Sequence, residues 1–115
     1  MKINYHRRVF KAELNSPNGQ VDDTVRFYYF QERNMLHGHY QGGAILYGQV
    51  IGKIDASSNI QMHYQHIDMD GKFRTGVCHS VPSLTEDGKI RLHESWQWTN
   101  GDRSKGQSIL IETNE

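Results

Sequence analysis

Seven turn-forming clusters divide the chain at nearly even intervals, and this spacing constrains the fold more than any other feature of the sequence. The clusters occupy residues 16–19, 32–34, 41–43, 55–59, 68–71, 85–88 and 99–102. Most contain Asn-Gly, Asp-Gly or Gly-Gly, which accept the positive φ angles that tight hairpin turns demand. The eight segments left between them are short, and this arrangement is typical of an antiparallel meander.

The segments themselves alternate with a period of two, as half-buried strands do. In 89–98 one face carries Ile90, Leu92, Glu94, Trp96 and Trp98, and in 59–67 it carries Ile60, Met62, Tyr64 and His66. In 72–81 the same alternation predicts an inward face of Phe73, Thr75, Val77, His79 and Val81. Segment 6–14 also permits two helical turns, because Phe10 and Leu14 lie four apart, but the hairpin loop that follows favours a strand.

Eight antiparallel strands in one short chain must protect their edges, and closing the sheet removes them. We therefore predict an all-β fold over residues 1–115, with a single eight-stranded antiparallel up-and-down barrel. The alternative architecture is an open sandwich. Such a barrel has a lumen that is either filled by side chains or holds one small ligand.

Charge and composition argue against several classes of function. The 13 basic and 13 acidic residues cancel and are scattered, so no basic stripe indicates nucleic-acid binding. No apolar run approaches the ~18 residues of a membrane span. The start, Met1 to Tyr5, lacks a secretory signal, and Cys78 is the single cysteine. We expect a cytoplasmic protein, although a mature chain whose signal has been removed fits the same features.

Polar residues on the apolar faces are the candidates for function. Glu94 lies between Leu92 and Trp96, and an unpaired buried carboxylate is costly. It should therefore pair with an inward His, Tyr or Arg, or contact a ligand, and the sequence leaves both open. The predicted ligand-binding set is Tyr40, Tyr64, His66, Thr75, His79, Glu94 and Trp96. It combines apolar walls with a few polar groups, as small-molecule sites do.

Metal and catalytic chemistry find weaker signals. His37 and His39 share a strand face, and His63, His79 or Glu94 would complete a zinc-type site. Two ligands alone are incomplete, so we favour a solvent-facing pair and expect no metal or other cofactor. Glu94 and His66 are the candidate acid–base pair for catalysis. Cys78 and His79 are neighbours on a strand and point to opposite faces, so they cannot form a dyad.

Several stretches carry a resemblance to a known family. They are Tyr40-Gln41-Gly42-Gly43-Ala44-Ile45, Gly48, Ile51-Gly52, Ile60-x-Met62-x-Tyr64, Thr75-Gly76-x-Cys78, and the block 88–106. By these residues the chain resembles small bacterial proteins that often carry the name N-acetylglutamate synthase. The resemblance covers nearly the whole chain and implies a calycin-like or avidin-like barrel, the type of lipocalins and streptavidin.

That name would require an acetyl-CoA site, which the sequence does not support. The nearest match to the pyrophosphate-binding loop of acetyltransferases is residues 49–54, which ends in Ile54 within a strand pattern. No helix follows to supply the anion-binding terminus. We therefore favour a small-molecule-binding protein over an enzyme. The third hypothesis is an interaction module that self-associates, for example as a homodimer, with exposed Tyr28, Phe30 and Tyr47 on its outer face.

Overall fold

A computed structural model describes residues 2–114, and within this range each of the eight predicted segments forms a strand. The strands are β1 (Arg8–Asn15), β2 (Arg26–Glu32), β3 (Met35–Gly42), β4 (Ile45–Ile54), β5 (Ile60–Asp68), β6 (Phe73–Leu84), β7 (Ile90–Trp98) and β8 (Lys105–Thr113). Each pairs antiparallel with its neighbour, and β8 pairs with β1 to close the barrel. The closed barrel is confirmed over the open sandwich, and β1 is a strand. No helix within 2–114 is long and apolar enough to cross a membrane.

The two ends of the barrel are closed in different ways. At the N-terminal end, Ile3 and Tyr5 are buried, and the Tyr5 hydroxyl donates a hydrogen bond to the carbonyl of Ser58 at 2.6 Å. At the opposite end, the connection between β1 and β2 comprises residues 16–25 and folds over the lumen. We call this connection the cap loop, and the end that it covers the capped end.

Strand β6 presents the face opposite to the one that its apolar alternation predicts. Phe73 is 65% exposed and Val81 43% exposed, whereas Cys78 and Ser80 are buried. The predicted inward face of Phe73, Thr75, Val77, His79 and Val81 is therefore wrong. The physical reason is volume, because large rings from the neighbouring strands already fill this side of the lumen. Small residues on β6 leave room for them.

Glycines opposite aromatic rings show how this space is shared. Gly48 lies across from Tyr40, and Gly106 lies across from Trp96. A Cβ atom added at either glycine would come within 2.3 Å of the opposing ring. On β6, Gly76 stands in the same relation to Tyr64. Each ring thus lies flat against a neighbouring strand that has no side chain at that point.

Candidate functional site

A cavity of about 60 Å³ lies inside the lumen and extends toward the capped end. Its walls are mainly aromatic: Phe27, Tyr29, Tyr40, Tyr64, Trp96 and Trp98. Tyr64 and Trp98 meet edge to face with ring centroids 5.5 Å apart, whereas Phe27 and Tyr40 stack at 4.9 Å. Glu94 and His66 reach this apolar surface from different strands, and Asn15, Gln20 and Ser108 are further polar residues of the lining.

Glu94 is the polar group contributed by β7. Its Oε2 accepts a hydrogen bond from the Ser80 hydroxyl at 2.5 Å. Burial raises the pKa of Glu94 to about 7, while the hydrogen bonds from Ser80 and the Cys78 thiol oppose that rise. Near neutral pH the carboxyl group therefore exchanges between a hydrogen-bond donor and an anion. Its partners among residues 2–114 are a hydroxyl and a thiol. Neither is the inward His, Tyr or Arg that was one of the two alternatives left open by the sequence.

His66 belongs to a chain of hydrogen bonds that ends on a loop residue. Its Nδ1 lies 2.8 Å from the Tyr40 hydroxyl, and its Nε2 lies 2.7 Å from Gln20 Oε1. The Gln20 Nε2 group then donates to Asp68 Oδ2 at 3.2 Å. Because an amide oxygen only accepts, His66 must carry its proton on Nε2, and Nδ1 accepts from Tyr40. Every donor in this series of hydrogen bonds therefore faces an acceptor.

The charge states of His66 and Asp68 within this series of hydrogen bonds are set by the surrounding groups. Burial, and after it the charge of Arg74, lower the pKa of His66 to about 4 against the opposing effect of Asp68. The backbone N–H of Lys72 and the Gln20 amide are the main causes of a lowered pKa at Asp68. At neutral pH the imidazole is therefore uncharged, and the carboxylate is anionic.

Arg74 borders the same region of the lumen. Its guanidinium carbon lies 4.0 Å from the centroid of the Trp98 ring, in a cation–π arrangement. Its Nε is buried and has no hydrogen-bond partner among residues 2–114. Arg74 is the direct cross-strand partner of His66, so its charge helps to keep that imidazole neutral.

The cap loop contributes Gly19, Gln20 and Val21 to the cavity lining. Hydrogen bonds hold it against the barrel, including Asn15 Nδ2 to the Val21 carbonyl at 2.8 Å. The indole N–H of Trp98 donates to the carbonyl of Asn18 at 3.3 Å. This end of the lumen is therefore closed by a loop that hydrogen bonds hold in place.

Five of the seven predicted ligand-binding residues line this one cavity: Tyr40, Tyr64, His66, Glu94 and Trp96. Thr75 and His79 do not. Thr75 bonds the Thr99 hydroxyl at 2.7 Å, and His79 is exposed on the outer face of β6. Placing these two in the lumen was wrong, for the reason given above for β6. Sequence reasoning also missed Gln20 and Asp68, because residues of loops and strand ends carry no periodic signal.

The histidine pair lies outside the barrel. His39 stacks on Tyr28 and Tyr47, with ring centroids 5.0 and 6.2 Å apart, and His37 stacks on Phe30 at 5.6 Å. Glu94 lies on the lumen side and cannot complete a site with them. Across the part of the chain that the structure describes, no group of three or more His, Cys, Asp or Glu residues is placed to hold a metal ion.

Comparison with known proteins identifies the class of fold. Residues 3–113 match a family described as avidin-like protein. The match spans nearly the whole chain, and the chain belongs to this avidin-like family. The family and the closed barrel confirm the calycin-like or avidin-like architecture that the resemblance implied, a fold that fits small-molecule binding in general. No curated protein and no solved structure matches the chain.

Proposed function

We propose that the protein binds a small, partly apolar molecule in its lumen, next to the capped end. The observation that carries this proposal is the make-up of the cavity. Aromatic walls meet a few polar groups there, among them the Glu94 carboxyl and the His66 imidazole. An apolar enclosure with a few convergent polar groups is the usual composition of a small-molecule site.

The size of the cavity supports a closed form that opens for the ligand. Its volume is about 60 Å³, whereas ligand pockets are typically ~300–1,000 Å³. The barrel wall is held by the hydrogen-bond ladders between its strands, and the cap loop is the part of the lining outside them. We infer that a ligand enters when the cap loop moves and withdraws Gln20 and Val21 from the lumen.

Native mass spectrometry of protein purified gently from cells tests the proposal. A reproducible adduct that is lost in Glu94→Ala and in Trp96→Ala would support it. Ser95→Ala is the matched control, because Ser95 lies between these residues on the outer face of β7. The chain's two tryptophans both line the cavity, so indole emission gives a second readout for added compounds. Unchanged emission with every compound of a fragment library, and no adduct, would contradict lumen binding.

A catalytic role is the second candidate, and the pKa of Glu94 favours it. A carboxyl group with a pKa of about 7 in an apolar cavity suits proton transfer. His66 would be its companion on the same cavity, although both of its ring nitrogens are already engaged. Turnover of a bound metabolite that disappears in Glu94→Gln, with binding retained, would support catalysis. Unchanged turnover in that variant would exclude it.

Self-association through the outer face is supported by the exposed stack of rings on β2, β3 and β4. Tyr47 is 45% exposed, and it adjoins His39 and Tyr28 in that stack. Light scattering measures the mass in solution. A dimer that becomes a monomer in Tyr47→Ser would support a homodimer through this face, and a monomer at high concentration would contradict it.

A further inference from the structure

The side chain of Gln20 enters the lumen from the cap loop and contacts two buried groups of β5. Its Oε1 accepts from His66 Nε2 at 2.7 Å, and its Nε2 donates to Asp68 Oδ2 at 3.2 Å. His66 is 3% exposed and Asp68 4% exposed. A planar carboxamide thus occupies a two-point polar site on the barrel wall.

The polarity of this site is anchored by Asp68, which belongs to β5. Because its carboxylate only accepts, the Gln20 amide turns its Nε2 to Asp68 and its Oε1 to His66. His66 Nε2 is therefore the donor, and Nδ1 accepts from the Tyr40 hydroxyl. The backbone N–H groups of Asp70 and Lys72 both donate to Asp68 Oδ1 at 3.0 Å, which keeps the carboxylate an anionic acceptor. The wall therefore offers one donor beside one acceptor, and an amide group, with C=O next to N–H, complements both.

We propose that the Gln20 carboxamide stands in for an amide group of the ligand. A small molecule with a carboxamide or lactam would displace Gln20, bond His66 through its oxygen and Asp68 through its N–H, and lay its apolar part on the aromatic walls. This inference rests on the proposed function, and it adds the chemical class of the ligand.

The energetics of exchange favour this class over related ones. Leaving a buried donor or acceptor without a partner costs about a factor of ten or more in binding. A ketone or an ester replaces only the bond to His66 and leaves Asp68 Oδ2 without the donor that Gln20 supplies. A carboxylate is repelled by the Asp68 anion. Only a group that restores both hydrogen bonds replaces Gln20 without such a loss.

The position of Gln20 makes the exchange possible without disturbing the barrel. Gln20 lies near the middle of the cap loop, and its removal joins the space of its side chain to the cavity that it already lines. His66 and Asp68 belong to β5, which pairs along its length with β4 and β6. The site thus stays in place while its occupant changes.

The test compares wild type with Gln20→Ala, using 2-pyrrolidinone as the lactam probe and cyclopentanone as its analogue without an N–H. The ¹⁵N resonances of the His66 ring report occupancy directly. In Gln20→Ala we expect them to move away from their wild-type positions and to return toward them as 2-pyrrolidinone is added. The lactam should bind this variant at least about tenfold more tightly than wild type, and about tenfold more tightly than cyclopentanone binds.

Gln61→Ala is the control, because Gln61 lies exposed on the outer face of β5, and it should behave as wild type. Gln20→Ser serves as a second variant if Gln20→Ala does not fold. Equal binding of cyclopentanone and 2-pyrrolidinone overturns the amide class but leaves lumen binding supported. If neither compound moves the His66 or the indole resonances in any variant, the amide class is overturned, and the fragment and adduct experiments described above decide lumen binding separately.

Discussion

Ser80 and Glu94 face each other across β6 and β7, and the serine hydroxyl donates a hydrogen bond to Glu94 Oε2 at 2.5 Å. Ser80 is fully buried, so this donor cannot be replaced by bulk water. Of the groups near Glu94, Ser80 makes the strongest contribution in favour of the ionised carboxylate. The hydrogen bond between them therefore helps to determine the protonation state of Glu94 near neutral pH.

Replacing Ser80 with Ala should raise the pKa of Glu94 above its value of about 7, because the anion loses its main donor. The ¹³C shift of the Glu94 carboxyl group, followed against pH, measures this change directly. Ser95→Ala, on the outer face of β7, should leave the midpoint where it is in wild type. A midpoint in Ser80→Ala at or below the wild-type value would contradict the assigned role.

Glu94→Gln should change how stability depends on pH. The pKa of Glu94 is raised from 4.5 to about 7 on folding, so the folded state binds the proton more tightly. The free energy of unfolding that Glu94 contributes therefore falls as pH rises from 4.5 to 7, by roughly 3 kcal/mol at most. We expect Glu94→Gln to gain stability relative to wild type at pH 8 but not at pH 4. Urea denaturation at both values measures the difference.

His66 should produce the opposite slope. Its pKa is lowered from 6.5 to about 4 on folding, so the unfolded state binds the proton more tightly. Its stabilising contribution is complete above pH 6.5 and is lost as pH falls toward 4. In wild type the slopes of His66 and Glu94 oppose each other between about pH 4.5 and 6.5.

As pH falls below 6.5, Glu94→Gln should therefore lose stability more steeply than wild type does. The His66 ring resonances should titrate with a midpoint near pH 4 in the same samples. A midpoint near 6.5 would show that the imidazole is not held neutral by its surroundings.

Gly106→Ala should destabilise the barrel by about 1–3 kcal/mol, because the added Cβ would lie 2.2 Å from the Trp96 ring. The displaced indole would also lose its hydrogen bond to Ser108 Oγ, now 2.7 Å long. Gln107→Ala, exposed on the next position of β8, should cost less than about 0.5 kcal/mol.

A double-mutant cycle with Trp96→Leu separates this clash from other effects of Gly106→Ala. Once leucine replaces the indole ring, the added methyl group has space. The double variant should therefore lose less stability than the sum of the losses in the two single variants. Additive losses would show that the glycine and the ring do not compete for the same volume.

The sequence predicts the barrel well because turn chemistry is local. Asn-Gly and Asp-Gly clusters divide the strands without reference to anything distant. The inward face of β7 is also predicted correctly, since its alternation of Leu92, Glu94, Trp96 and Trp98 is unambiguous.

Strand β6 shows the limit of that reasoning. Both of its faces are mixed, and the choice between them depends on the rings that β5 and β7 bring into the lumen. Gly76 faces inward because Tyr64 occupies the space beside it. Gln20 is a stronger case, because its partners His66 and Asp68 are 46 and 48 residues away in sequence. Local patterns contain no information about such contacts.

The three rings that rest on glycine also determine how this barrel can diversify. Shortening Tyr40, Tyr64 or Trp96 would leave a void that reaches the bare backbone of the neighbouring strand. Each of these rings fills a separate part of the interior, and its removal leaves the backbone hydrogen-bond ladders intact. Related chains can therefore acquire lumens of different shape by single substitutions that preserve the register of every strand.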